Sequence, residues 1–590
     1  MIKRNSTIIC RYCPNSATDN NSMNRKQYQT FEEVLNDVNP FGRYQICIVT
    51  LAFFSSVMAA GQNAFIAFGL MGSKQWICVV RKSEDDINDS RGMVSTNTVE
   101  ASSNFSFVTT RCLPKCIDYI PLLSVNNETA KFFSIVEQWH LICQNRRALE
   151  LIVIIPKFVS VVTFVFAGYF GERYGRCKWL LACQFGVCLS SVLSVASQRW
   201  YALLGFVSVS AALSGFLKVS LTTFCLEYTN SKYRMISASA FQWSAGYMFI
   251  GLIAYLTGHW QLYLIIVNLI CSPILLGFLI FMESPQWLLE QGRIRDAAWI
   301  LTAIGSERWN NTGIEITPEN LNQFSLKLQQ KREQQYVQSA SLLGITMSLW
   351  NRCRVGQKSM QVAATLALTA IVFGFTNATF VMRTSSVQIE PFVGVTLYGC
   401  FQLLIPIILI AIDRNAAVSF GRKTVFLSAL AIVGICYATS LIVHMFRANQ
   451  TAKIFDVVFV VAGNCFANTA LEIATILLIF EYFPTRQRNI VLGVFYAIKY
   501  FGSGTMLITV THTPPRYTHY LQLTYHIIAV VISAITWSAA YFWFAETKFK
   551  DHLLCSDSHA IIGDGRNYQL RLHVPDDASQ ISEMNEVTKF

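Results

Sequence analysis

The chain is poor in charged residues. Of its 590 residues, 14% are Asp, Glu, Lys or Arg and 53% are hydrophobic, and the mean hydropathy is +0.38. Soluble globular proteins carry about 25% charged residues. This deficit excludes a water-soluble protein of this length and favours a protein that lies in the lipid bilayer.

The chain also lacks the motifs of two kinds of membrane-bound catalyst. Its nine histidines form no HxxxH pair and no metal-binding group with Cys or Asp. His512, His519 and His526 recur every seven residues, but Pro514 and Pro515 interrupt any helix that would align them. No glycine-rich phosphate loop precedes a helix, which argues against ATP-driven pumping. We therefore predict that the chain is not an enzyme and holds no metal or other cofactor.

Long apolar segments, in contrast, are abundant. A helix that crosses the hydrocarbon core of a bilayer needs about 20 apolar residues, and twelve segments meet this requirement. We number them spans 1 to 12, at residues 44–71, 148–170, 179–197, 200–226, 235–257, 260–282, 361–381, 391–412, 424–446, 454–480, 489–512 and 520–545. Six spans precede a long polar segment, and six follow it.

Basic residues indicate how the spans are oriented. Lys and Arg collect in short cytoplasmic loops, and with the N-terminus inside, ten lie in short inner loops and five in short outer loops. The inner group is Arg173, Arg176, Lys178, Lys232, Arg234, Arg414, Arg422, Lys423, Arg486 and Arg488, and the outer group is Arg199, Arg383, Arg447, Lys453 and Arg516. This bias predicts both termini in the cytoplasm. It explains the net charge of +12 without a nucleic-acid partner.

The span pattern divides the chain into five parts. We predict a cytoplasmic N-terminal segment at 1–43 and a six-helix half at 44–282 that includes an extracellular loop at 72–147. A cytoplasmic central loop at 283–360, a second six-helix half at 361–545 and a cytoplasmic tail at 546–590 follow. Residues 1–40 are polar, so we expect no cleavable signal peptide and expect span 1 to act as the membrane signal.

The long first loop has the features of an extracellular cap. It carries three glycosylation sequons, at Asn88, Asn104 and Asn127, and four cysteines, Cys78, Cys112, Cys116 and Cys143. An outside location permits disulfides, and four cysteines allow three pairings. The loop therefore predicts two disulfides and N-linked glycans, with the pairing left open.

Two short segments flank the spans. Thr30-Phe-Glu-Glu33 is a capping box, followed by an apolar stripe at helical spacing, and predicts a short surface helix before span 1. The chain ends in Thr588-Lys-Phe590, which matches a ligand that adds as a strand to a PDZ-type groove. The alternative is that these last residues are an arbitrary terminus.

The two halves of the chain repeat a motif. GYFGERYGRCK, residues 168–178, stands between spans 2 and 3, and DRNAAVSFGRK, residues 413–423, stands between spans 8 and 9. Each places an acid, an arginine and then Gly-Arg in an inner loop at the corresponding point of its half. Two six-span halves that repeat in parallel are typical of major-facilitator transporters.

Several further motifs carry a specific resemblance. They are FEEVLNDVNPFGRYQ at 31–45, EQWHLIC at 137–143, MESPQWLL at 282–289, EYFPTRQRN at 481–489 and AETK at 545–548. In this order the chain resembles the organic cation/anion/zwitterion transporters of the major facilitator superfamily. It departs from them by extra residues at 416–420 and by Gln402, where the family usually has an acid in span 8. The resemblance implies an all-α membrane protein with the major facilitator fold, in which twelve transmembrane helices form two six-helix halves.

Four ionisable residues lie well inside spans, namely Lys157 in span 2, Lys218 in span 4, Glu472 in span 10 and Lys499 in span 11. The resemblance implies that spans 1, 2, 4, 5, 7, 8, 10 and 11 line a central cavity, and all four lie on these spans. At a rise of about 1.5 Å per residue, Glu472, Lys218 and Lys499 fall near the midplane of the membrane. Charges cost about 2.5–3.5 kcal/mol at that depth on insertion scales, so the four suggest a substrate-binding cavity. The alternative is that Glu472 and Lys499 form a purely structural pair.

The resemblance adds further candidates for substrate contact. Phe373 and Phe375 in span 7 fall where the family usually has a Tyr-Tyr-Gly-like stretch, and Gln242 and Trp243 in span 5 follow a similar match. Cation-handling relatives tend to carry an acid in span 11, and Tyr500 occupies that position here.

Charged residues near the inner loops are candidates for gating. We predict that Glu172, Arg173, Arg176 and Glu227 form an inner-face cluster that stabilises the outward-open state. In the second half, the corresponding candidates are Asp413, Arg414, Arg422, Glu481 and Arg488. Such clusters can hold helices together and release them when the halves rock.

These observations predict a secondary-active plasma-membrane transporter of small organic ions that works by alternating access. Three lysines against one glutamate leave a positive surplus in the cavity, which favours organic anions or zwitterions. An organic cation transporter and a non-transporting sensor on the same scaffold remain alternatives.

Overall fold

The computed structural model describes residues 27–28, 30–69, 76–81, 99–100, 105–109, 118–121, 132–142, 145–240, 244–310, 312–322, 325–326, 357–384, 390–415, 421–445, 450–483, 485–512 and 518–547. In chain order the helices are α1 (Phe31–Val38), α2 (Arg43–Gly69), α3 (Ile135–Gln138), α4 (Arg146–Tyr174), α5 (Arg176–Val195), α6 (Trp200–Glu227), α7 (Arg234–Ala240), α8 (Ser244–Thr257), α9 (Trp260–Cys271), α10 (Gly277–Ile280), α11 (Pro285–Glu290), α12 (Ile294–Gly305), α13 (Gln357–Thr384), α14 (Pro391–Arg414), α15 (Arg422–Met445), α16 (Gln450–Phe466), α17 (Glu472–Tyr482), α18 (Thr485–His512) and α19 (Thr518–Trp543).

Every predicted span coincides with helical structure. Spans 1 to 4 are α2, α4, α5 and α6, and spans 7, 8, 9, 11 and 12 are α13, α14, α15, α18 and α19. Within the described residues, nine helices are long and apolar enough to cross a membrane. Spans 5, 6 and 11 are not among these nine helices.

Two spans, 6 and 10, are interrupted, and span 5 is described in two parts, on either side of residues 241–243. Span 5 comprises α7 and α8. Span 6 passes from α9 through a 3₁₀ turn at Ser272–Leu276 to α10, at a point where Pro273 removes a backbone donor. Span 10 passes from α16 through a π-helical turn at Ala467–Leu471 to α17. A π turn of this kind inside an α-helix often marks a functional site.

The long first loop adds a small sheet to the helical bundle. Its strands are β1 (Trp76–Arg81), β2 (Val99–Glu100), β3 (Phe105–Thr109) and β4 (Asp118–Pro121). They run antiparallel in the order β2-β3-β1-β4, with Cys78 of β1 opposite Val108 of β3 and Tyr119 of β4. The helical fold therefore carries a β-structured cap that the sequence analysis does not predict.

The predicted surface helix before span 1 is confirmed as α1. The Thr30 side chain accepts a hydrogen bond from the backbone of Glu33 at 3.4 Å, as a capping box requires. Val34 and Val38 are fully buried, and α1 packs on α12 at one end of the bundle. We call this end, which also carries the loops between spans 2 and 3 and between spans 8 and 9, the inner end.

The two six-helix halves share one apolar core. Phe164 and Val219 of the first half belong to the same buried cluster as Phe373 and Leu477 of the second. Close helix contacts join the halves both near the inner end and near the other end, which we call the outer end. A Cβ atom on Gly493 in span 11 would overlap the carbonyl oxygen of Phe164 in span 2, on the side of the inner end.

A similar contact closes the outer side. A Cβ atom on Gly399 in span 8 would overlap the backbone nitrogen of Met248 in span 5. Only glycine allows the backbones to approach so closely at these positions. The halves therefore touch on both sides of the bundle centre.

Candidate functional site: a central cavity between the two halves

Glu472 lies at the centre of a buried ion network. Its Oε1 atom accepts hydrogen bonds from the Nζ atom of Lys218 at 3.0 Å and from the hydroxyl of Tyr496 at 3.2 Å. Its Oε2 atom accepts a bond from the Nζ atom of Lys499 at 2.6 Å. The exposed fractions of the Glu472, Lys499 and Lys218 side chains are 5%, 8% and 12%. Lys218 belongs to the first half and Glu472 to the second, so this network joins the halves.

The local structure of span 10 helps to aim this carboxylate. Glu472 is the first residue of α17, directly after the π-helical turn at Ala467–Leu471. A π turn inserts an extra residue and so changes the direction in which the following side chains point. The aromatic rings of Tyr496 and Phe373 cover the two lysines, with Lys218 Nζ 4.4 Å and Lys499 Nζ 4.3 Å from the ring centroids.

Lys157 occupies a separate position in the cavity. Its Nζ atom donates to Oδ1 of Asn63 at 2.9 Å, and the Asn63 amide donates in turn to the hydroxyl of Tyr247 at 3.0 Å. The Lys157 ammonium lies 5.7 Å from the centroid of the Tyr500 ring. No carboxylate of the described residues forms an ion pair with Lys157. Lys157 is therefore a partly buried cation with a neutral partner.

A cavity of about 110 Å³ lies between Lys157 and Lys218. Tyr500 contributes to its wall, as do the Gln62 and Ser210 side chains. The Gln62 oxygen accepts hydrogen bonds from the hydroxyls of Ser210 and Ser214, each at 3.1 Å. The Gln62 Nε2 atom is buried and has no hydrogen-bond partner among the described residues. This cavity therefore offers ammonium and amide donors to a ligand.

A group of amides from the second half forms another polar patch. Asn377 Oδ1 accepts hydrogen bonds from Asn464 at 2.9 Å and from Asn468 at 2.8 Å. The Tyr398 hydroxyl donates to Asn464 at 2.5 Å and accepts from Gln402 at 2.9 Å. The sequence analysis misses these amides as a site because it searches the spans for ionisable residues, and the family resemblance points to other positions. The positions of Asn464 and Asn468, one turn apart and just before Glu472, are the signal that could have identified them.

The predicted aromatic contacts have different surroundings. Phe373 is fully buried and packs over Lys499. Phe375 instead packs against Tyr525 of span 12, with ring centroids 5.4 Å apart, so it takes part in contacts within the second half. Gln242 and Trp243 lie outside the described residues.

The inner end of the first half contains a cluster around Arg176. This fully buried guanidinium forms ion pairs with Glu172, at 2.9 Å, and with Glu227. Glu172 also accepts a hydrogen bond at 3.1 Å from Asn489 of span 11, so the cluster reaches the second half.

The prediction that Arg173 belongs to this cluster is wrong. Its side chain is exposed, and its Nη1 atom donates to the hydroxyl of Tyr169 at 2.7 Å. Adjacent residues of a helix do not face the same side. Because Glu172 faces Arg176, Arg173 points away from the cluster.

The inner end of the second half has a matching cluster around Arg422. Its guanidinium lies 3.1 Å from Asp413 and 3.4 Å from Glu481, and donates to the carbonyl of Ser231 in the first half at 2.9 Å.

The other two basic candidates lie outside this cluster. Arg414 is exposed, with its guanidinium 6.0 Å from the Tyr233 ring centroid. Arg488 donates to the carbonyl of Phe483 at 2.7 Å and lies 4.0 Å from the Phe480 ring centroid. The structure therefore brings together Asp413, Arg422 and Glu481 alone from the predicted second-half group.

Two carboxylates cap the helices that begin at Arg176 and Arg422. The sequence analysis does not single them out. Glu283 Oε1 accepts from the backbone nitrogens of Arg176 and Cys177 at 2.8 and 3.1 Å, at the start of span 3. Glu546 accepts from the backbone nitrogens of Arg422 and Lys423 at 2.5 and 3.2 Å, at the start of span 9. Carboxylates are stabilising at helix N-termini. The two acids come from the motifs after spans 6 and 12, so the repeat extends to these caps.

Several predictions fall outside the described residues. They concern Asn88, Asn104, Asn127, Cys112, Cys116 and Cys143, the side chain of Cys78, and Thr588–Phe590. The two disulfides, the glycans and the PDZ-type contact stay predictions.

Comparison with known proteins gives consistent matches. Residues 123–556 match the family described as "Sugar (and other) transporter". Similar curated proteins include solute carrier family 22 member 7 of Rattus norvegicus, 24% identical over 366 residues that cover 61% of this chain and 64% of that protein. Solute carrier family 22 member 16 of Homo sapiens is 27% identical over 180 residues, 30% of each chain. The chain thus spans less than two thirds of the length of the rat relative.

Solved structures are similar over most of their length. The MFS (major facilitator superfamily) proton:xylose symporter XylE bound to 6-bromo-6-deoxy-D-glucose matches with a TM-score of 0.58 and 12% identity, over 85% of this chain and 96% of that chain. A double Trp XylE mutant matches with a TM-score of 0.56 and 14% identity, over 87% and 98%. These likenesses confirm the predicted fold of two six-helix halves.

Proposed function

The chain belongs to the Sugar (and other) transporter family of the major facilitator superfamily, and from this premise we propose that it is a secondary-active transporter of small organic ions, with a preference for anions or zwitterions that carry a carboxylate. Its substrate would occupy the cavity between Lys157 and the Glu472 network. We also propose a plasma-membrane location with both termini in the cytoplasm, since short inner loops hold more of the basic residues.

The observation that carries this proposal is the pairing of Glu472. Its carboxylate is held by Lys218 and Lys499, at 3.0 and 2.6 Å. The three groups together carry a formal charge of +1, and Lys157 adds a further positive charge. In a buried cavity, such a surplus attracts anions. An organic cation would instead have to displace a lysine from Glu472 before it met a carboxylate.

The ion network also suggests how substrate and movement are linked. Lys218 and Glu472 lie on opposite halves. A substrate carboxylate can compete with Glu472 for either lysine and so weaken this contact between the halves. A zwitterion would offer an ammonium group to the released Glu472. In alternating access the halves rock around a site near the midplane, so a ligand that alters a central contact alters the cost of that movement.

The test is uptake by the purified full-length protein in liposomes. Labelled monocarboxylates, zwitterionic amino compounds and quaternary ammonium ions are compared in the wild type and in Lys157→Gln. We expect saturable uptake of a carboxylate, and weaker affinity in Lys157→Gln because a charged hydrogen bond is lost, at a cost of about 1.5–3 kcal/mol. Lys232→Gln is the matched control, since Lys232 is exposed in an inner loop.

Three outcomes would contradict the proposal. Uptake of quaternary ammonium ions alone would favour a cation transporter. Binding of a ligand without accumulation would favour a sensor on the same scaffold. Equal affinities in Lys157→Gln and Lys232→Gln would remove Lys157 from the substrate site.

A further inference from the structure

A second buried polar cluster lies in the outer part of the second half, away from the central cavity. We call it the outer histidine cluster, and it consists of Arg383, Ser440, His444, Asp456 and His526. Each residue has an exposed fraction of 5% or less. They come from spans 7, 9, 10 and 12, so the cluster ties four helices together. The proposed transport mechanism makes no use of it.

Asp456 is the centre of this cluster. Its Oδ2 atom lies 3.2 Å from Nη1 of Arg383 and 3.8 Å from Nδ1 of His444. Its Oδ1 atom accepts a hydrogen bond from the hydroxyl of Ser440. The arginine pairs with this carboxylate oxygen, and the histidine ring faces the same oxygen at a distance too long for a hydrogen bond.

Ser440 links the carboxylate to the second histidine. Its Oγ atom lies 2.9 Å from Nε2 of His526. A hydroxyl has one hydrogen, and the ionised Asp456 takes it. Ser440 must then accept a hydrogen from Nε2 of His526. The three groups form a chain of hydrogen bonds along which the position of one proton depends on the others.

The cluster contains two histidines beside one ion pair. With both rings neutral, the described charges of the cluster are those of Arg383 and Asp456, which cancel. Histidine is the side chain whose charge ordinarily changes near physiological pH. A proton taken up from water adds to the unprotonated nitrogen of the His444 ring, and no other bond breaks. On His444, the new charge faces the Asp456 oxygen that also holds Arg383.

We propose that the outer histidine cluster is a proton-binding site, and that uptake of one proton weakens the Arg383–Asp456 contact between spans 7 and 10. The charged and titratable groups that face the two rings in the described residues are Arg383 of span 7, Asp456 of span 10 and Tyr437 of span 9. The Tyr437 ring centroid lies 5.9 Å from that of His526.

The position of Arg383 gives this proton an effect on transport. Arg383 lies in the last turn of span 7, near its outer end. Spans 7 and 10 also carry Asn377, Asn464 and Glu472 of the central site. Loosening this contact changes the packing of spans 7 and 10 at the outer end of the second half, and so alters the free-energy cost of opening the outer side. The transport consequence rests on the proposed function, whereas proton binding itself does not.

The first experiment needs no substrate. The thermal unfolding temperature of the purified full-length protein is measured in detergent between about pH 5.5 and about pH 8, where histidine titrates. Because a proton on the folded cluster costs part of an internal ion pair, the folded protein takes it up less readily than the unfolded chain does, and stability falls on acidification. We therefore expect the wild type to lose more stability on acidification than His444→Gln or His526→Gln. His512→Gln, at an exposed position of span 11, should behave as the wild type. Ser440→Ala keeps both rings and should also reduce the pH dependence.

The second experiment measures uptake by liposomes as the pH on the outer side is varied over the same range. We expect a pH-dependent rate in the wild type and in His512→Gln, and loss of this dependence in His444→Gln and His526→Gln. Identical pH profiles of unfolding in all variants would overturn the proton site, whatever the substrate. A changed unfolding profile with an unchanged uptake profile would overturn its link to transport.

Discussion

The substitution Glu472→Gln tests the centre of the site most directly. Glutamine keeps the size of the side chain and an oxygen that can accept from Tyr496, but it removes the charge that neutralises Lys218 and Lys499. The two ammonium groups are left in a buried region, within 3.0 Å of a neutral amide. We expect the empty protein to lose stability and its affinity for anions to rise.

The size of the effect follows from the burial of the network. Removing one partner of a buried ion pair costs about 3–5 kcal/mol, because the other charge stays buried without compensation. Lys218 retains an exposed side-chain fraction of 12%, so water relieves part of the cost. We therefore expect a loss near the lower limit, about 3 kcal/mol. Neutralising both partners in Glu472→Gln/Lys499→Gln should restore part of this stability.

The assay is thermal unfolding of the purified protein with and without a transported carboxylate. A ligand stabilises the folded state according to its affinity and concentration. The carboxylate should therefore raise the unfolding temperature of Glu472→Gln more than that of the wild type. A zwitterionic substrate should show the opposite trend if Glu472 holds its ammonium group. Glu307→Gln, at an exposed position, controls for the loss of a negative charge.

Two results would refute this reasoning. An unfolding temperature equal to that of Glu307→Gln would mean that Glu472 compensates no buried charge. Unchanged affinity and turnover for every transported compound would make the network a structural pair and leave the substrate elsewhere.

Three further predictions concern the inner cluster around Arg176, the close contacts between the halves and the cysteines of the outer loop. Arg176→Gln should reduce maximal transport at normal surface expression. Arg173→Gln should leave maximal transport near the wild-type value, because only Arg176 of these two arginines joins the buried cluster. Equal losses of the two variants in initial-rate uptake would contradict this prediction. Gly493→Val should hinder closure of the inner side, and Gly399→Val should hinder closure of the outer side. Labelling of introduced cysteines from each side of the membrane should show opposite changes in their accessibility in the two variants. Mass spectrometry of the surface protein should find the four outer-loop cysteines oxidised, and free thiols there would refute the two disulfides.

The sequence alone determined the class of the protein and the frame of its fold. Scarcity of charge and twelve apolar segments are local properties of the chain, and lipid admits few structures other than helices at such segments. The motif repeated in two inner loops indicated two halves, and the order of the further motifs along the chain indicated the family. The match to the Sugar (and other) transporter family confirms a transporter family, and the similar curated proteins are solute carriers.

The sequence also located the ionisable residues of the cavity, but it could not assign their partners. Lys499 was a candidate partner of Glu472, and the structure adds Lys218, which is 254 residues away in the chain. A charge inside an apolar span is visible in the sequence because its cost is local. Its partner depends on which helices touch and on how each is rotated about its axis.

The tertiary structure alone decided several other assignments. The π-helical turn before Glu472 changes the direction of the side chains that follow, and no apolar pattern reveals it. Arg173 lies one residue from Glu172 yet faces away from it. The outer histidine cluster joins four spans whose residues are up to 143 positions apart, from Arg383 to His526. Apolar surfaces pack without directional preference, whereas hydrogen bonds and ion pairs need partners within about 3 Å. Composition and pattern therefore determined which segments cross the membrane, and helix packing determined which polar groups meet there.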